Sequence, residues 1–150
     1  MSSFADTSFL FAFYLPRAAS EQAIAKMESL QNPAQISSLV RFEFQQAVWF
    51  KVWLRAQGHP LGLSETSAQS VLAAFDLDLE RGLWALADSA REAVVTRAER
   101  MALDHTPRHG VRAMDILHLA FALQIGAKEL MSFDESQRQV ALAEGLLLDP

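Results

Sequence analysis

The chain alternates apolar runs of strand length with segments of helix length, and no other feature narrows its possible folds as much. The short runs are "SSFAD" within Met1 to Asp6, "AQIS" from Ala34 to Ser37, "LWALA" from Leu83 to Ala87, "ELMSF" from Glu129 to Phe133, and "LLL" from Leu146 to Leu148. A helix would also accept "LWALA". Short apolar strands separated by helices mean an α/β layer fold with a central, mainly parallel β-sheet of four to five short strands flanked by helices.

The helix limits follow from breakers and caps. "TSFLFAFYL" stops at Pro16. Ser20 is an N-cap for a helix to about Leu30, with Glu21 in its first turn, and Asn32-Pro33 breaks it. A long helix spans Leu39 to Ala56 and ends at Gly58 and Pro60. Ser64 caps a helix to Arg81, and Asp88 one from Ser89 to Leu103. The proline and glycine of "DHTPRHG" make it a loop. Helices over Arg112 to Ile125 and Glu135 to Glu144 follow. No repeat, low-complexity tract or linker interrupts this order, so residues 1–150 are expected to form a single domain.

Composition excludes several function classes. There is no cysteine, hence no disulfide, Cys–zinc site or thiol catalysis, which fits a reducing cytoplasm. No apolar run is of membrane-spanning length without a charge or strong polar group, and the first residues lack the basic region of a signal peptide. The net charge of -5 argues against a broad basic surface for nucleic acid. Clustered carboxylates would contribute to that sum, however, and a bound divalent cation would cancel part of it. Arginines outnumber lysines, and Arg108 and Arg112 stand just before Asp115. Arginine is the better phosphate fork, although solvated loop charges would look the same.

The acidic residues share an address in this architecture. Asp6 ends the first strand and Asp134 the fourth, Asp115 lies in the first turn of a helix, and Glu43 in the first turns of another. In an open parallel sheet these positions meet at one edge, where ligands bind. Glu43 shares a helical stripe with Leu39, Ala47, Phe50 and Leu54, which predicts a buried setting. Asp115 and His118 are neighbours at i and i+3. Carboxylates gathered in this way either share protons or hold a cation. Held by carboxylates and water alone, that cation would be magnesium or manganese, ions suited to phosphoryl chemistry. Each residue also has a plainer role open to it. Asp6 and Asp134 can cap the helices beside them, Glu43 can pair with Arg41, and Asp115 can bond to His118.

With these residues placed, the chain resembles the PIN domain family, and within it the small VapC-like toxin ribonucleases. The resemblance rests on "ADTSFL", "SSLVRFEFQQAV", "DILHLAFALQIGA", "LMSFD" and "EGLLL", in that order and at similar spacing across nearly the whole chain. It implies a metal-dependent endoribonuclease, a hydrolase using Mg2+ or Mn2+. Asp6, Glu43, Asp115 and Asp134 match the family's catalytic, metal-holding acids. Thr7, Ser8 and Ser132 would orient a carboxylate or a water, with Ser132 standing where the family often has threonine. His118 matches a frequent family histidine and is read as a packing and hydrogen-bonding residue. Single-stranded or looped RNA is the implied substrate, because a duplex is hard to thread into a carboxylate pocket. Arg41, Arg108, His109 and Arg112 are candidates for its phosphates.

"FLFAFYL" and "FQQAVWFKVWL" carry more apolar surface than one core face needs. Phe42, Trp49 and Trp53 line a different side of their helix from Glu43. Either that helix is sandwiched within its own domain, or this side is a homodimer interface or a groove for a partner helix. The family resemblance implies a small antitoxin protein as that partner, and the toxin of a type II toxin–antitoxin system. Two alternatives remain at this level: an RNA maturation or turnover nuclease without an antitoxin, and a catalytically silent interaction domain whose acids are caps and salt bridges. A phosphatase of similar topology lacks support, since "TS" follows Asp6 where a second aspartate would be needed two residues on.

Overall fold

Every short apolar run becomes a strand of two or three residues, kept short by neighbours such as Pro33 and Ser37 around β2, Gly82 before β3 and Gly145 before β5. The computed structural model describes residues 1–150. In chain order the elements are β1 (Ser3–Ala5), α1 (Thr7–Tyr14), α2 (Ser20–Ser29), β2 (Ala34–Ile36), α3 (Ser38–Ala56) and α4 (Glu65–Glu80). Then come β3 (Trp84–Leu86), α5 (Arg91–His109), α6 (Ala113–Gln124), β4 (Glu129–Met131), α7 (Glu135–Ala143) and β5 (Leu147–Leu148). The strands form one sheet in the order β3-β2-β1-β4-β5, with every neighbouring pair parallel. Phe4 of the central strand β1 lies opposite Gln35 on one side and Leu130 on the other. Parallel pairing points all strand C-termini the same way, so the chain leaves β1, β2 and β4 at one edge.

The inner strands β1, β2 and β4 are buried because helices cover them, while the edge strands β3 and β5 leave Leu86 and Leu147 exposed. Helices α1 to α4 pack on one another, and α5 to α7 likewise. Phe4, Phe9, Leu10, Phe44, Phe75, Leu119 and Leu130 are fully enclosed. Each such side chain stabilises the fold by roughly 1.5–3 kcal/mol through burial. An aromatic knot joins α1, α3, α4 and β3. Phe44 and Phe75 meet edge to face at 5.1 Å, and the Trp84 indole N–H donates to the Tyr14 hydroxyl at 2.6 Å. That hydroxyl donates in turn to Asp78 at 2.7 Å, so the knot leaves neither polar group unpaired.

At the opposite end of the strands from their shared exit, Lys26 of α2 is buried against Glu129, the first residue of β4, at 2.9 Å. The same ammonium reaches Asp149 at 2.8 Å, and the Ser3 hydroxyl donates to Glu129. Burial alone would lower the Lys26 pKa, but the bonds to Asp149 and Glu129 outweigh it and raise the pKa.

Several sequence expectations need correction. The segment "DHTPRH" is not a loop: α5 runs through it to His109 and contains Pro107. A proline in the last turn removes only one backbone donor, and Val94, Ala98 and Met101 keep the helix packed. Gly110, at φ 62°, then ends it in the left-handed conformation that glycine adopts without penalty. Ser20 is not an N-cap. It lies inside α2, where its hydroxyl donates to the Leu15 carbonyl and accepts from the Arg17 amide, both at 3.0 Å. Asp88 does not cap α5, which starts at Arg91 without a side-chain cap, and accepts from the Ser89 amide instead. The Glu43 stripe is not a buried face either. Val40, Phe44 and Val48 are the buried residues of α3, while Phe50 is 51% exposed and Glu43 half-buried.

Candidate active site

The sheet edge gathers the acids of four segments into one pocket of about 270 Å³, lined by Asp6, Glu43, Asp115 and Asp134 together with Thr7, Ser8, Arg112 and His118. Each acid arrives there for a local reason. Asp6 leaves β1 and caps α1, accepting from the Phe9 amide at 2.8 Å. Asp134 caps α7 through the Gln137 amide at 2.8 Å. The plain capping roles are therefore real, and they coexist with membership of the pocket. β4 ends at Met131, so Asp134 stands at the helix start and not at the strand end. Asp115 lies in the first turn of α6, where a carboxylate is favoured by the helix dipole. Glu43 points in from the second turn of α3, one turn before Ala47, which also lines the pocket.

Each carboxylate is held by protein donors. The Ser8 and Ser132 hydroxyls both donate to Asp6, each at 2.7 Å. Thr7 donates to Glu43, and the His118 ring Nε2 lies 2.6 Å from the same oxygen. An ionised carboxylate only accepts, so His118 carries its proton on Nε2 and its Nδ1 is left buried without a partner. Arg112 reaches Asp115 at 3.3 Å, and Ser136 reaches Asp134 at 2.7 Å.

Burial, more than mutual repulsion, shapes the electrostatics of the acids. Burial pushes Asp6 up to about 6, against the hydrogen bonds from Ser132, Phe9 and Ser8. Burial also raises Asp115, and the charge of Asp134 adds to the rise. Glu43 is lowered, chiefly by its bond to His118. As they lie, no three of these side chains stand close enough together to grip one ion. Each acid accepts instead from donors of its own, Ser8 and Ser132 for Asp6, Thr7 for Glu43, Arg112 for Asp115 and Ser136 for Asp134. The donor set still fits a hard divalent cation: carboxylate oxygens from four segments, in a pocket that penalises their charge.

That fit gives a pH prediction. A cation needs Asp6 ionised, so manganese affinity measured by titration calorimetry is expected to fall as pH drops through about 6. Affinity constant from neutral pH down to pH ~5 would exclude Asp6 as a ligand.

The remaining sequence candidates divide. Arg112 reaches the pocket. Arg41 does not line it and pairs loosely with Asp76 at 3.8 Å. Arg108 and His109 fall in the last turn of α5, outside the pocket lining, with the His109 ring 6.2 Å from that of His105. Sequence reasoning missed Arg17, which lines the pocket beside Phe11. Its only signal was position, a cation directly after the Pro16 that ends "FLFAFYL".

Comparison with known proteins agrees with the fold. The chain has the fold of VapC20 from Mycobacterium tuberculosis, a sarcin–ricin loop cleaving toxin, at TM-score 0.68 and 20% identity, covering 99% of this chain and 100% of that one. It is similar to VapBC2 from Rickettsia felis, solved bound to a DNA fragment from their promoter, at TM-score 0.69 and 17% identity, covering 99% and 98%. FitAcB from Neisseria gonorrhoeae follows at 0.63 and 16%, covering 99% and 96%. No curated protein sequence matches the chain. The PIN domain family model matches residues 3–143, from β1 to the end of α7, and the chain belongs to the PIN domain family.

Proposed function

We propose that the protein is a divalent-metal-dependent endoribonuclease, the toxin of a type II toxin–antitoxin pair, and that residues 1–150 act as one catalytic domain. The observation that carries this reading is the single pocket lined by Asp6, Glu43, Asp115 and Asp134, brought from across the chain in a PIN fold. These four carboxylates would hold magnesium or manganese, which when bound polarises a phosphodiester and lowers the pKa of water beside it. Ser8 and Ser132 fix both oxygens of Asp6, while Thr7 and the His118 Nε2 proton fix Glu43. Arg112 sits at the rim, exposed enough to exchange Asp115 for a substrate phosphate. Likeness to a sarcin–ricin loop cleaving toxin supports looped RNA as the substrate class.

The antitoxin reading draws support from α3. Phe42, Trp49 and Trp53 are 61%, 40% and 54% exposed, so this helix is not sandwiched within the domain. A face of this kind suits an antitoxin helix or a second copy of the chain. No helix is long and apolar enough to cross a membrane, and we place the activity in the cytoplasm. The test is RNA cleavage supplied with magnesium or manganese, abolished by a chelator and restored by the ion. Growth arrest on expression, relieved by Asp115→Asn, separates a toxin from a maturation nuclease. Absence of cleavage with either ion favours the silent interaction domain.

Thr7→Val tests how Glu43 is held. Losing the hydroxyl that orients this carboxylate is expected to cost about 10–100-fold in metal affinity, with little change in melting temperature. An unchanged affinity would mean that His118 alone fixes Glu43.

A further inference from the structure

A nuclease of this charge faces a difficulty at its own pocket. The RNA strand and the carboxylates are both negative, and the net charge of -5 supplies no general attraction. Two cations beside the pocket offset this. The Arg17 guanidinium lies over the Phe11 ring at 5.2 Å, and the Lys51 ammonium lies over the same ring at 5.9 Å. Phe11 and Arg17 line the acidic pocket, as does Ala47, one helical turn before Lys51 on α3. The ring is buried and braced edge to face against Phe44 at 5.3 Å, so it is a fixed platform.

Neither cation has an acidic partner. The ion pairs of the chain involve Lys26, Arg41, His105, Arg112 and His118, and no carboxylate lies within 4.0 Å of Arg17 or Lys51. The Lys51 ammonium donates only to the Leu61 carbonyl, at 3.3 Å. Burial lowers the Lys51 pKa, and the charge of Arg17 lowers it further. Two like charges held on one ring, without a counter-charge, call for an anion from outside.

We propose that Arg17 and Lys51, each seated against the Phe11 ring, form a phosphate-binding subsite that grips the RNA backbone next to the acidic pocket. The inference rests on the nuclease reading above and supplies what that reading lacks, a cationic hold on the strand. The pair favours RNA over a protein plug. A segment that fills an acidic pocket carries its own cations, and Arg17 and Lys51 would repel them. Arg17 is a guanidinium fork suited to two phosphate oxygens, and Lys51 a point charge suited to one.

The test measures binding of a short fluorescein-labelled single-stranded RNA by anisotropy over a range of salt. It uses the Asp115→Asn protein with magnesium present, so that the strand stays intact. Cleavage by the wild type is run in parallel. On single strands each phosphate contact contributes about 0.7 to the slope of log affinity against log salt. Arg17→Gln and Lys51→Gln are each expected to lower the slope by about 0.7, and the double variant by about 1.4. Arg17→Lys should restore most of the slope, which a merely structural role would not do. If the wild type cleaves RNA and the double variant keeps the full slope, the subsite is wrong and the nuclease stands. If the wild type neither binds nor cleaves RNA, both are wrong.

Discussion

Asp6→Asn is expected to abolish RNA cleavage while making the metal-free protein more stable. The variant keeps the shape of the side chain and its acceptor for the Phe9 amide, so the α1 cap survives. It removes one charge from the proposed cation site. Losing one such electrostatic contact lowers turnover by roughly 10²–10³-fold, so cleavage should fall at least this far. The stability change has the opposite sign. Asp6 has a pKa of about 6 in the folded chain, above its ordinary value of 3.8. Between these values the native state holds a proton that the unfolded state has released. Stability is therefore highest below the ordinary value and declines as pH rises through about 6. At neutral pH the buried charge costs on the order of 3 kcal/mol, and asparagine carries none of it. Melting of the metal-free variant near pH 8 is expected several degrees above wild type, about 2–4 °C for each kcal/mol recovered. A lower melting point combined with lost cleavage would indicate damage to the fold, and the loss could not then be assigned to chemistry.

The second large effect lies at the other end of the strands. Lys26→Met would leave Glu129, 2% exposed, without its cation. Removing one partner of a buried pair costs about 3–5 kcal/mol, because the other charge remains enclosed. The Ser3 hydroxyl still donates to Glu129 but cannot neutralise it. Thermal melting should drop by on the order of 10 °C. The double variant Lys26→Met with Glu129→Gln should recover much of that loss, since no uncompensated charge is left. If the single variant melts like the wild type, the pair contributes nothing to stability. RNA binding should not change in either variant, because neither residue lines the acidic pocket.

The contrast between these two charged sites shows what the sequence makes legible. The four acids could be placed together because each stands beside a chain reversal whose signals are local: Asp6 and Asp134 before helices, Asp115 in a first turn, Glu43 early in a long helix. Parallel topology did the rest. Lys26 and Glu129 are separated by 103 residues, and neither stands in a pattern that announces the other. Arg17 and Lys51 meet only because α1 packs on α3, a contact that periodicity cannot specify. The error at Pro107 has a similar origin. A proline in sequence signals a stop, but packing of α5 on α6 outweighs the one hydrogen bond it removes. The Glu43 stripe is apolar and so looks like core in sequence, although only Val40, Phe44 and Val48 of that helix are buried.

The register of β1 against β4 also bears on how the protein is made. Ser3 pairs with Glu129, so the middle of the sheet joins segments that leave the ribosome far apart in time. During translation Asp6 emerges early, yet the hydroxyl of Ser132 and the carboxylate of Asp134 follow only after most of the polypeptide has been made. No truncated product ending before β4 can enclose the pocket, and non-local pairing of this kind is slow to form. The acidic pocket is therefore completed late, once the segment carrying Ser132 and Asp134 has paired its strand with β1.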